Sequence, residues 1–156
     1  MHDTPAMKGA WPLSSILLML AGVIVACIGA YFIFLRRPLL PEDIRYMRLS
    51  AAELAIIGPR LEPWLMQVFR VLGGFALAAG LLAVSLAATA FRTRHPVAVL
   101  GAFVGGVSSI GLMAIVNFAI DSNFKWLLLG CALVWGLSLV AFGREEWAAR
   151  SAPKQR

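Results

Sequence analysis

Residues that usually carry chemistry are scarce in this sequence. It holds two cysteines, two histidines and eight acidic residues in 156 positions. Cys27 and Cys131 have no Cys-x-x-Cys spacing and fit no metal-ligand pattern, so packing as small apolar residues is their expected role. Haem between helices needs a histidine within a span, whereas His2 is in the N-terminal tail and His95 sits beside a proline. No Gly-rich phosphate loop, nucleophile elbow or zinc-protease helix is present. No catalytic, cofactor or metal residue is therefore nominated, and a non-enzymatic protein is expected.

Charge is also scarce. Only 14% of residues are charged and 60% are hydrophobic, against roughly 25% and 45–50% in globular chains. The mean hydropathy is +0.81. The net charge is +6, from 14 Lys and Arg against 8 Asp and Glu. Those basic residues flank apolar runs instead of gathering on one polar helix. Membrane lipid phosphate is the expected partner, and nucleic acid is not.

The apolar residues form four long runs. Residues 9–35, 71–91, 97–120 and 126–142 contain no Asp, Glu, Lys, Arg or His. A helical span needs about 20 apolar residues. The expected fold is all-α: one transmembrane four-helix bundle with spans at about 12–35, 66–91, 97–120 and 125–143, then a polar tail at 144–156. Residues 24–27 loosely match a lipoprotein cleavage box. Residues 28–35 stay apolar, however, so Cys27 falls mid-membrane and a span is the stronger reading.

Between the first two spans, residues 41–62 read as an interfacial amphipathic segment. Pro41, Glu42 and Asp43 suit a helix N-terminus, and Glu42 is placed to pair with Arg45. Ser50 and Glu53 form a capping box. Gly58-Pro59 is expected to end that helix, and Glu62-Pro63 to start another. Arg36, Arg37, Arg45 and Arg48 would then lie at headgroup level as lipid-phosphate contacts.

Basic residues divide evenly between the two sides, so the positive-inside rule ties over the whole chain. In the short loops alone, Arg92 and Arg94 outweigh Lys125, which places both termini in the cytoplasm.

Small residues recur at four-residue spacing: Gly101 and Gly105, continued by Ser109, in the third span; Ala76 and Gly80 in the second; Gly22, Ala26 and Ala30 in the first. Such spacing permits close helix approach, either within the chain or at a dimer face; packing within the chain is favoured. Ser108, Ser109, Asn117 and Asp121 are the candidates to line a polar mouth, with bonding to nearby backbone as the plainer alternative.

The stretch from Leu40 to Met47, then Trp64-Leu65 and residues 68–75, resembles small bacterial integral membrane proteins with four predicted spans. That resemblance covers mainly residues 35–90. It implies a bacterial inner-membrane setting and carries over no catalytic residue. The leading expectation is a helix-packing partner or accessory subunit that associates with itself or another membrane protein. The alternative is an oligomeric transporter or channel component.

Overall fold

The computed structural model describes residues 11–151. Expectations resting on His2, Lys8, Lys154 and Arg156 fall outside those residues. The described chain runs α1 (Leu13–Phe34), α2 (Pro41–Met47), α3 (Ala51–Ala88), α4 (Pro96–Gly106), a π-helical turn at Val107–Gly111, α5 (Leu112–Ala119) and α6 (Lys125–Ser151). Helices α1, α3, the α4–α5 unit and α6 are each long and apolar enough to cross a membrane. They make the expected all-α four-helix bundle.

Helix α1 is its centre, packing most extensively on α3 and next on α6. Its buried residues form two rows. Ser15, Gly22 and Gly29 recur every seven positions, and so do Gly73, Gly80 and Ala87 on α3. A seven-residue repeat keeps one helix edge facing its partner. The antiparallel register sets Gly29 against Gly73 and Gly22 against Gly80. A Cβ on Gly22 would lie 2.8 Å from the Gly80 carbonyl oxygen, and one on Gly73 would lie 2.7 Å from that of Gly29. The two backbones therefore touch. The second row, Ser14, Leu18, Ala21 and Val25, starts at the residue that bonds Glu145 of α6. On α6 the buried positions Leu128, Cys131, Trp135, Ser138 and Phe142 alternate by three and four, the spacing of one helix face.

The α4–α5 unit packs chiefly on α6 and only slightly on α3. Its buried residues are Ala98, Ala102, Gly106, Ile110 and Ala114, each four apart. In a continuous α-helix a four-residue step drifts about 40° around the axis, roughly 160° over this row. The π turn absorbs an extra residue and removes much of that drift. It holds the whole row against α6.

The chain breaks at residues 48–50, where Arg48 takes a left-handed conformation with φ of 55°, so separate helices start at Pro41 and after Ser50, as the sequence signals indicate. One departure from the sequence reading concerns the interfacial segment: Gly58-Pro59 does not stop a helix, and α3 runs unbroken through Pro59 and Pro63. The residue before a proline is driven from helical geometry largely by its own Cβ, which Gly58 lacks. The prolines free the carbonyls of Ala55 and Pro59, and both those residues are exposed, where water or headgroups can satisfy them. The Ser50 capping box forms as expected. Glu53 accepts from the Ser50 amide at 2.8 Å and hydroxyl at 2.6 Å, and these bonds hold its carboxyl below the usual range.

Candidate functional sites at the bundle ends and in the spans

At one end, Glu145 joins three segments. The Ser14 amide and hydroxyl donate to its two carboxylate oxygens at 3.1 and 2.6 Å. Arg94, from the α3–α4 turn, completes an ion pair with it. The Arg94 guanidinium also sits 4.6 Å from the Phe142 ring centroid. Ser14 lies in the first turn of α1, where amides lack helical partners, so Glu145 acts as an N-terminal cap supplied by another helix. Burial works to raise the Glu145 carboxyl, but the Ser14 and Arg94 bonds outweigh it and hold the group below its usual range. Arg92 stacks 4.3 Å from the Trp11 ring. None of this was legible beforehand, because Ser14 and Glu145 are 131 residues apart.

At the other end, α2 is fastened to the α5–α6 turn. The Ser122 hydroxyl donates to the Glu42 carboxylate at 3.2 Å and accepts from the Phe124 amide at 3.1 Å. Both Glu42 and Ser122 are 2% exposed. Arg45 donates to the Asp121 backbone carbonyl and approaches its carboxylate at 3.8 Å. The expected Glu42–Arg45 pair is thus replaced by two contacts reaching across the bundle. Lys125, first of all, and Arg45 hold the exposed Asp121 carboxyl low.

The four arginines nominated for lipid phosphate separate into two groups. Arg36 is drawn inward: its guanidinium lies 3.5 Å from the Phe69 ring centroid and 5.2 Å from that of Phe32, and pairs with Asp43 at 3.3 Å. Arg45 is tied to Asp121. Arg37 and Arg48 are exposed and bear no carboxylate partner among the described residues.

The polar-mouth candidates turn to their own backbone. The Ser108 hydroxyl donates to the Val104 carbonyl at 2.7 Å, Ser109 to Gly105, and the Asn117 amide to Met113 at 2.9 Å. Asp121 joins Arg45 and Lys125 instead of Asn117. Among the described residues there is no cluster of three or more metal-binding side chains. Cys27 is exposed and Cys131 buried, both as free thiols.

The proposed packing residues also divide. Gly80 is in the α1–α3 contact and Ala76 is half-buried beside it. Gly101 is exposed, with Leu86 3.9 Å from an added Cβ, and Gly105 reaches only ordinary contact with Trp135 at 3.8 Å. The close contact is one residue on. Gly106 lies so near the Trp135 indole that an added Cβ would collide with it, and Trp135 Nε1 donates to the Ala102 carbonyl at 2.8 Å. Beside this contact a shallow apolar groove of about 200 Å³ runs along the π turn, lined by Phe103, Val107, Gly111, Gly136 and Leu139 among others.

These features define a four-helix fold fit for a multi-pass membrane protein, pinned at both ends by polar contacts. No protein-family model, curated protein or solved structure matches the chain.

Proposed function

We propose that this is a non-enzymatic integral membrane protein that acts as a helix-packing partner or accessory subunit, in a bacterial inner membrane as the sequence resemblance implies. The observation that carries this reading is the fate of the polar side chains at membrane depth. Ser85, Ser108, Ser109, Asn117 and Ser138 each bond a carbonyl of their own helix. Among the described residues, none of these five side chains is left free to line a path for a solute. The α4–α5 unit meanwhile leans on α6 and presents Phe103, Val107 and Ile115 outward, each more than half exposed. That row is the surface on which a second membrane helix would pack.

A photoreactive residue at Val107, crosslinked in native membranes and analysed by mass spectrometry, tests the reading. The expected product is a discrete adduct with one other integral membrane protein. Adducts only with a second copy, together with ion or solute flux in proteoliposomes, would favour the oligomeric channel or transporter and overturn it. Cytoplasmic termini belong to the same proposal; rapid labelling of Ser151→Cys by an impermeant thiol reagent in intact cells would refute that orientation.

A further inference from the structure

Helix α3 continues far beyond the bundle. Phe69 is the α3 residue that meets the end of α1, packing edge-on to Phe32 with ring centroids 6.0 Å apart. Residues 51–66 precede it and extend roughly 24 Å further at the α-helical rise. This arm is largely exposed: Ile56 is 76% and Trp64 61% accessible. Ile56, Ile57, Arg60, Leu61 and Trp64 line one continuous surface. Residues four apart stack along a helix, so Ile56, Arg60 and Trp64 form a row with a guanidinium between two large apolar groups.

The prolines give the arm a preferred direction. At about 100° per residue, Pro59 and Pro63 fall on the side opposite Ile57 and Leu61. A proline ring pushes against the carbonyl four residues back, which opens the helix on its own side and favours bending toward the other. The bend therefore turns Ile57 and Leu61, with Trp64 beside them, toward its inner side, while Ile56, seven residues before Pro63, stays on the proline side. Among the described residues Arg37, Arg48 and Arg60 have no carboxylate partner. Glu53, the first acid of the arm, is engaged by Ser50.

We propose that residues 51–66 form an interfacial arm that lies on an anionic leaflet of the membrane the protein spans, with Ile57, Leu61 and Trp64 below the headgroups and Arg60, Arg37 and Arg48 on lipid phosphates. A tryptophan and a snorkelling arginine beside isoleucine and leucine match the polarity gradient of that interface. The arm is also covalently continuous with a span, so the bilayer surface is always within its reach. The inference rests on the membrane spans alone and is independent of the accessory role proposed above.

The test uses the full chain with Cys27→Ala, Cys131→Ala and Ile57→Cys, nitroxide-labelled in nanodiscs of zwitterionic lipid with or without phosphatidylglycerol. With the anionic lipid, the label should become accessible to oxygen and shielded from a water-soluble nickel chelate. Arg60→Gln should lower the inserted population about fivefold, the equivalent of roughly 1 kcal/mol for one basic residue at an anionic surface. A label open to the chelate in both lipids overturns the proposal. So does dipolar broadening, which would mean that a second copy covers the arm, or immobilisation that requires an added membrane protein. Amide exchange on the unmodified protein gives an independent readout: protection across 51–66 should rise with anionic lipid, and an unchanged profile counts against the arm.

Discussion

Gly29 and Gly73 meet backbone to backbone: a Cβ on either would lie 2.7 Å from the carbonyl oxygen of the other. Nothing in that contact can give way, because the opposing atoms are main chain. Gly29→Ala should lower stability by about 1–3 kcal/mol, the usual range for overpacking a tight interior. Gly101→Ala, where an added Cβ meets only Leu86 at 3.9 Å, should leave the melting temperature in detergent unchanged. Equal effects of the two substitutions would show that the α1–α3 contact is not the tight one.

Trp135 locks α6 to α4 through the Ala102 carbonyl and the bare face of Gly106. Hydrogen bonds between membrane helices average about 0.6 kcal/mol and reach about 1.7. Trp135→Phe should fall in that range for the bond, with a further loss from the smaller ring. Gly106→Ala should be worse than Gly105→Ala, since its methyl displaces the indole itself. Thermal unfolding followed by tryptophan fluorescence would rank the three, and Gly105→Ala as the worst would sink the assignment.

Glu145 links stability to pH. Its carboxyl is held below the usual range in the fold, so the unfolded chain binds the proton more readily. The contribution is fully present above the unfolded value near 4.3 and is lost as pH falls through the lower folded value. Glu145→Gln should flatten the acid limb of a stability–pH curve, chiefly below about pH 4.3. It should also speed amide exchange in the first turn of α1. A mutant curve parallel to the parent's would contradict the cap.

The Glu42–Ser122 contact fixes α2 across the bundle mouth, and its burial makes it the stronger of the two fastenings there. The Arg45–Asp121 pair is more than half exposed on both sides, and such pairs contribute about 0–1 kcal/mol. A double-mutant cycle of Glu42→Ala with Ser122→Ala should give a coupling of about 1 kcal/mol, the usual worth of a hydrogen bond. The cycle of Arg45→Gln with Asp121→Asn should give less. The reverse order would show that the exposed pair, not the buried bond, holds α2.

Much of the fold was legible and much of the packing was not. The four spans follow from long uncharged runs, and the Ser50–Glu53 box from a local pattern; both are properties of neighbouring residues. The packing face of α4 lies one residue on from the small-residue row that the spacing predicts. Gly101, Gly105 and Ser109 form a row of small residues at spacing four, and Ala102, Gly106 and Ile110 form another beside it. Two adjacent rows of acceptable size look alike in sequence, and only the place of Trp135 chooses between them. On α1 and α3 the seven-residue spacings of Gly22 with Gly29 and Gly73 with Gly80 are present in the sequence, but only the antiparallel register of the two helices sets them against each other.

What the sequence alone determined is the apolar, membrane-length character of this protein's long helices and the number of its spans. Apolar length and the exclusion of charge act on each segment independently, so no knowledge of the partner helix is needed. What only the tertiary structure decided is which polar groups meet. Glu145 with Ser14 and Arg94, and Glu42 with Ser122, are joined across the chain by the antiparallel register of α1 on α3 and of α6 on its neighbours. The register also drew Arg36 between Phe32 and Phe69 and left Arg60 outside. An arginine's chemistry is the same at every position, and its role depends on whether a ring, a carboxylate or open surface lies within its reach.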